Sequence, residues 1–436
     1  MTGNAQQQKA GPTDVGRRDA LRLTGAATIA AAVFSGRAMA QSSGRVVIIG
    51  AGFGGASCAR ELRNIAPGIE ITLVERNPLI VTCPFSNTVL GGINEISAVS
   101  QSLDGLRAAG IKVLVDTATG IDPGSRTVTL KEAGNLNYDR LVLSPGIDLK
   151  WAEIDGYNAD VAKVMPHAWK AGAQTDLLRR QLVAMDDGGT VIIAPPINPF
   201  RCPPGPYERA SLIAHYLKAE KPRSKILILD AKDKFSKQGL FTEGWNALYP
   251  GLIEWVPFSQ GGGVTSVDPG NMSVRTGFET FSGDVINIIP PQRSNQLVDA
   301  AGLAGDGEWC EVDGTTLESK VAPDIHILGD SSVAGDMPKS GFSATSQGLV
   351  CAHAISALMA GEAPSQPAFL NTCYSLVGPK YGISVAGVYR TNTDGAIKSV
   401  SGAGGTSPMA AADDFRASEA DFGRGWYASI TTDLYG

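Results

Sequence analysis

The chain has 436 residues, 43% of them hydrophobic and 18% charged, with a formal net charge of −6. That length supports two or three domains with ample core, and the acidic balance excludes nucleic acid as an expected partner. Six cysteines without a CxxC or CxxCH pair and four histidines without ligand spacing exclude a haem-attachment site and a ribbon-type zinc site, so no metal site is expected.

The first element is a leader. "GRRDALRLTGAATIAAAVFSGRAMA" carries Arg17-Arg18, an apolar run from Ala26 to Phe34 and the small-residue site Ala38-Met39-Ala40. This is the pattern of a secretory signal over residues 1–40, and paired arginines before a weakly apolar core point to the twin-arginine route and the periplasm. A disordered basic leader is the bland alternative. The run of nine residues is too short to cross a bilayer, which takes about 20, and no later segment is long and apolar enough either. Removing residues 1–40 takes five positive and two negative charges from the total of −6, leaving −9 on a mature chain expected to be soluble.

"GRVVIIGAGFGGASCARELRNIAPGIEITLVER" reads as a strand, a helix over 54–65 and a second strand, "IEITLVE". Gly50, Gly52 and Gly55 form G-x-G-x-x-G at the strand-to-helix turn, where amides and the helix N-terminus cradle a pyrophosphate. Glu75, followed by Arg76, lies 20 residues beyond Gly55, where an acidic group binds a ribose hydroxyl. A tight glycine turn without a ligand is the competing reading. Eight residues after Glu75 stands Cys83, in "IVTCPFSN".

Further along, "YDRLVLSPG" (138–146) reads as a strand ending in a small-residue turn at Pro145-Gly146, and "PDIHILGDSSV" (323–333) as a strand ending at Gly329-Asp330. The pair resembles the two later signatures of two-dinucleotide-binding-domain flavoproteins, in which the Gly-Asp aspartate binds the ribityl-phosphate portion of the flavin. The resemblance implies FAD. It also aims the helix "SGFSATSQGLVCAHAISALMAG" (340–361), with Ser343 and Gln347, at the isoalloxazine; a buried Ala-rich helix is compatible with both readings.

Such flavoproteins carry a second Rossmann-like domain for NAD(P)H. Here the corresponding turn, "GGTVIIAPPINPFRCPPGPYERAS", has Pro195, Pro196, Pro199, Pro203 and Pro204 in place of glycines. Proline donates no amide hydrogen, so this turn is expected to have lost nicotinamide binding while "SKILILD" (224–230) still supplies the domain's second strand.

Cys58 and Cys351 fall in helices and read as packing residues, and Cys310 carries no assignment. Cys83, Cys202 and Cys373 lie in loop-like contexts. "TCPFSN", "RCPPGPYERAS" and "LNTCYSLVGPKYGISVAGVYR", with "GFSATSQG" and the leader, resemble the flavoprotein subunit of flavocytochrome c sulfide dehydrogenase over most of residues 45–390. By that resemblance Cys83 links covalently to the 8α-methyl of FAD, and Cys202 and Cys373 form a redox-active disulfide over the flavin. Pro84 is a departure, standing where the family's pattern has a larger or aromatic residue; an unattached loop cysteine is the alternative for Cys83. Glu208 matches the family's candidate acid/base, with a helix N-terminal carboxylate complementing the macrodipole as the other reading.

The implied reaction is oxidation of hydrogen sulfide to sulfur or polysulfide. Hydrosulfide attack on a disulfide is ordinary thiol–disulfide exchange. Electrons would leave to a c-type cytochrome subunit that carries the haem c this chain lacks, in a heterodimer. Tyr374, Tyr381, Tyr389 and Trp426 are expected to pack over the flavin and contribute to that interface. A sulfide:quinone oxidoreductase is an alternative, disfavoured by the expected absence of an amphipathic C-terminal helix. A flavoprotein accessory that reactivates a thiosulfate-oxidising complex is another.

The expected fold is α/β, with two interleaved Rossmann-like dinucleotide-binding domains of the FAD/NAD(P)-binding type and a small C-terminal interface domain. The signal occupies 1–40. The FAD-binding domain comprises two segments, 41–155 and 285–365, separated in the chain by the second Rossmann-like domain at 156–284, and the C-terminal domain follows at 366–436. The Gly/Ser-rich "VSGAGGTSPMAAADD" reads as a loop.

Overall fold

The computed structural model describes residues 43–436. The leader and its twin-arginine pair lie outside the described residues.

The runs "VVII" and "TLV" are buried without alternation, as in strands covered on both faces. They form the centre of a five-stranded parallel sheet in the order Ile325–Ile327, Arg140–Leu143, Gly44–Ile49, Ile69–Glu75 and Lys112–Val115. Val46 lies between Ile71 on one side and Arg140 on the other, so residues separated by more than 90 positions meet in one register. The helices Phe53–Ile65 and Gly341–Met359 pack on each other over this sheet. Gly348 makes the close approach possible, since a Cβ there would stand 2.5 Å from the Gly54 carbonyl oxygen.

A second parallel sheet has the order Ile253–Val256, Lys225–Leu229, Thr190–Ala194 and Val285–Ile288. Three of its strands are buried runs of the same kind, while the edge strand Ile253–Val256 is partly exposed, and the helix Gly205–Glu220 crosses between the first two in the chain. The two sheets make the α/β, doubly Rossmann-like architecture expected, with the first sheet built from segments on both sides of the second.

The C-terminal region is an antiparallel meander, Ala368–Gly378, Tyr381–Thr391 and Ile397–Thr406, followed by the helix Asp413–Tyr435. Two expectations are corrected here. The Gly/Ser-rich stretch is half strand: ladder hydrogen bonds to the preceding strand hold it, and its glycines permit contact a side chain would block, a Cβ at Gly404 standing 2.6 Å from the Ala386 carbonyl oxygen. A long C-terminal helix is also present. Its inner face, with Arg416, Glu419, Leu434 and Tyr435, is buried against the protein, and its outer face carries Asp414, Asp421 and Asp433. Among the described residues no helix is long and apolar enough to cross a membrane.

Candidate active site

At the carboxyl ends of the first sheet a cleft of about 530 Å³ opens. Gly50, Gly52, Glu75, Arg76, Cys83, Pro145, Gly146, Gly329 and Asp330 line it. Each glycine of the fingerprint does a different job. Gly50 turns the chain at φ +96°, where a Cβ would also strike the Ser144 carbonyl. Gly52 faces open space, and Gly55 lets the helix sit on the strand, because a Cβ there would be 2.0 Å from the Gly50 carbonyl oxygen. The Glu75 carboxylate is fixed by the N–H groups of Ala51 and Asn77, both at 3.0 Å.

Three expected cofactor residues do not line the cleft. Gly55 is a packing position. Ser343 and Gln347 sit behind the wall: Ser343 bonds to Ser340 and Asn371, while Gln347 Oε1 accepts the Gly329 N–H at 2.7 Å and so fixes the turn that presents Asp330. Facing inward on one side of a helix, they shape the site without bordering it.

The cleft fits a dinucleotide. Asp330 Oδ1 is buried without a partner, and Arg201, whose Nε is also buried and unpartnered, brings its guanidinium to 4.0 Å from Asp330. Such groups require polar ligand atoms or water. Lys339 holds the Asp330 and Ser332 carbonyl oxygens at 2.9 and 2.7 Å, and burial lowers its ammonium to about 8.

Beneath the cleft lies a chamber of about 60 Å³, lined by Cys83, Cys202, Cys373, Glu208, Trp169 and Trp426 among others. Cys83, Pro84, Ser340 and Gly341 belong to both cavities. Cys83 stands on the loop that follows the short strand Leu79–Val81; Ser86 caps its carbonyl, and Thr82 is tied to Tyr427 of the C-terminal helix at 2.7 Å. Cys202 precedes the helix Gly205–Glu220, whose Gly205 N–H its carbonyl accepts at 2.8 Å. Cys373 comes from the meander. Cys202 and Cys373 are free thiols in the structure. Phe85, Cys202 and Lys237 all have left-handed backbones, with φ of +65°, +55° and +61°, a strain that natural proteins concentrate at functional sites.

The Glu208 carboxylate accepts hydrogen bonds from Asn87 Nδ2 and the Leu376 N–H, both at 2.8 Å. Burial raises its proton affinity above the usual carboxylate range, opposed by these two donors and by Lys237 and Arg209. Burial, Cys373, Cys83 and Glu208 together push the Cys202 thiol well up. Cys373 is pushed up too, by burial, with Lys237, Ser340 and Asn371 pulling the other way.

Several site residues escaped the sequence reading. Arg209 is fully buried, donates to Asn87, Asn287 and the His167 and Ala168 carbonyls, and lies 5.0 Å from the Trp169 ring. Arg201 donates to the Trp169 carbonyl. Adjacency to Cys202 and Glu208 was the only signal for these two. Lys237 had none, since "AKDKFSKQG" reads as a solvated charged stretch.

The second nucleotide position is closed by side chains. Asp230, at the end of the Lys225–Leu229 strand, is wholly buried and bonded to Tyr207 at 2.5 Å, Trp255 at 2.9 Å and Lys232 at 2.6 Å. Phe235 stacks on Tyr207 with ring centroids 3.6 Å apart. The helix N-terminus meets Cys202 and Trp169, either of which a Cβ at Gly205 would strike.

Of the C-terminal aromatics, Tyr374 and Trp426 line the chamber, and Trp426 stacks on Phe53 and Phe342. Tyr381 and Tyr389 are buried in protein cores, which corrects their reading as interface residues; the exposed aromatics of this region are Phe415 and Phe422. Cys58 and Cys351 are fully buried between helices, and Cys310 is buried beside Ser332. Among the described residues no group of three or more His, Cys, Asp or Glu side chains could hold a metal ion.

Comparison with known proteins gives three family matches. Residues 175–290 match "Sulfide dehydrogenase [flavocytochrome c] flavoprotein chain, central", residues 365–435 "Flavocytochrome c sulphide dehydrogenase, flavin-binding", and residues 44–186 "Pyridine nucleotide-disulphide oxidoreductase". A sulfide dehydrogenase [flavocytochrome c] flavoprotein chain from Chlorobaculum thiosulfatiphilum is 60% identical over 45 residues, covering 10% of this chain and 94% of that one. The mitochondrial sulfide:quinone oxidoreductase of Dictyostelium discoideum is 22% identical over 305 residues, 66% of this chain and 65% of that enzyme, just under two thirds of its length. The crystal structure of the sulfide:quinone oxidoreductase of Aquifex aeolicus shares the fold at TM-score 0.66 and 18% identity, over 89% of this chain and 92% of that one.

Proposed function

This chain belongs to the family of flavocytochrome c sulfide dehydrogenase flavoprotein chains, and from that premise we propose that it oxidises hydrogen sulfide to sulfur or polysulfide in the Cys202–Cys373–Glu208 chamber, with FAD in the adjoining cleft. The observation that carries this reading is the convergence of Cys83, Cys202 and Cys373, from three distant segments, on one chamber that shares a wall with the cleft.

Glu75 and Arg76 would hold the ribose end, the Gly50–Gly52 turn the pyrophosphate and Asp330 the ribityl end, leaving Cys83 at the chamber side as the covalent tether. Bound there, FAD would supply uptake of an electron pair and its release in single steps. In the oxidised form of the Cys202–Cys373 pair hydrosulfide attacks one of the two sulfurs; the S–S bond breaks, a persulfide forms on that cysteine, and the other leaves as thiolate. Glu208, its carboxylate held by Asn87 and Leu376, takes the proton that hydrogen sulfide gives up.

The filled Asp230 pocket and proline turn support a substrate other than NAD(P)H as electron source. A c-type cytochrome subunit bearing haem c is the proposed acceptor, and the Arg17-Arg18 leader supports a periplasmic site of action.

The test is anaerobic mixing with sulfide. The FAD-loaded protein should bleach and then pass electrons to added oxidised cytochrome c, and Cys202→Ser and Cys373→Ser should each abolish bleaching while FAD stays bound. Full-rate bleaching in either variant overturns the proposal.

A further inference from the structure

Lys237 is buried at the start of the helix Gln238–Leu248, and its ammonium donates to the Cys373 carbonyl at 2.9 Å, to Ser375 Oγ at 2.8 Å and to the Ile383 carbonyl at 3.4 Å. All three acceptors are neutral, and the side chain makes no ion pair among the described residues. A buried cation without a counter-charge is costly. The groups around it that can become negative are Cys373, Glu208 and Cys202, with Glu419 further along, and Cys373 acts on it most strongly. Its placement is also strained, because Lys237 is a non-glycine residue at φ +61°.

The two thiols of the chamber are unequally served. Cys373 has Lys237 together with the polar groups of Ser340 and Asn371, which favour its charged form, against Glu208, Cys202 and Tyr389. Cys202 faces Cys373, Cys83 and Glu208, with Arg201 and Arg209 as favourable cations and Lys237 acting on it less than on Cys373.

We infer that Lys237 is the fixed counter-charge of Cys373, a positioning residue that places the negative charge of the reduced cysteine pair on Cys373 rather than on Cys202. Two-electron reduction of the disulfide then places the first proton taken up on Cys202, and Cys373, though burial pushes its thiol up as well, is the sulfur that keeps the charge longer. The inference depends on the reading of these cysteines as a redox pair, and it gives the pair a direction: the sulfur with the more stable thiolate is the better leaving group when the other is attacked.

The experiment reduces the protein with a phosphine and pulses it with iodoacetamide near neutral pH, with mass spectrometry of the peptides scoring Cys202 and Cys373 separately. In the wild type Cys373 should react faster than Cys202. In Lys237→Gln, which keeps N–H donors but no charge, Cys373 should slow by about tenfold or more, the scale of losing one opposite charge beside a titrating group, while Cys202 changes less. Lys237→Met should do the same. An unchanged Cys373 rate in the Gln variant, or recovery in Gln of what Met loses, would show a structural clamp and overturn the inference, and if Met does not fold, Gln decides alone. Failure of the redox reading would appear elsewhere, as sulfide bleaching that survives Cys202→Ser or Cys373→Ser.

Discussion

The Glu208 carboxylate accepts the backbone N–H of Leu376 at 2.8 Å, three residues beyond Cys373 on the same strand. The proposed base and the second cysteine are therefore locked to each other through main chain.

That lock defines what Glu208→Gln should do. Burial raises the Glu208 proton affinity in the folded protein, so its contribution to stability is complete below the unfolded value of about 4.3 and is lost as pH rises through the higher folded value. Glutamine has no such loss. The variant should bear a pH-independent penalty of about 1 kcal/mol for one hydrogen bond, yet gain on the wild type in urea midpoint as pH rises from the unfolded value through the raised folded one. Its sulfide-dependent flavin reduction should fall about 100-fold or more. A wild-type rate across the pH range would remove Glu208 from the chemistry.

The fingerprint glycines make a contrasting pair. Gly52→Ala meets nothing within 4 Å and should leave the urea midpoint of the flavin-free protein unchanged while lowering flavin content, because its methyl enters the cleft. Gly55→Ala drives a methyl into the Gly50 carbonyl and should cost about 1–3 kcal/mol of stability. Equal stability loss in both would refute the division of labour between them.

Acid precipitation tests Cys83 directly. Flavin should pellet with the wild-type polypeptide and appear in the supernatant of Cys83→Ser, whose cleft still binds it non-covalently. Free flavin from the wild type would sink the tether but not flavin binding.

NADH and NADPH should fail to bleach the flavin. Asp230, the acid that a second ribose would need, already accepts bonds from Tyr207, Trp255 and Lys232. Rapid anaerobic bleaching by NADH would show that this closed pocket opens.

The nucleotide half of the site was legible because its components are local. Gly50, Gly52, Gly55 and Glu75 lie within one βαβ unit, where short-range geometry assigns each a place. Even so, Ser343 and Gln347 do not border the cleft as expected, since an Ala-rich helix that also carries Leu349 on its exposed side shows no clear periodicity in sequence to tell the cleft side from the back. The Gly/Ser-rich strand escaped for a similar reason: its stability comes from pairing with a partner, which composition does not record.

The chain by itself determined the two parallel sheets, through apolar runs too uniform for half-exposed strands, and the absence of phosphate-binding amides at the proline turn. Which cysteines matter came from motif resemblance. Only tertiary structure brought Cys83, Cys202, Glu208 and Cys373 around one chamber and added Arg201, Arg209 and Lys237 to it. Charged side chains in sequence read as surface, and what buries Lys237 is a strand more than 130 residues away. Burial depends on packing between distant segments, and it is burial that turns a carboxyl into a base and a lysine into a counter-charge.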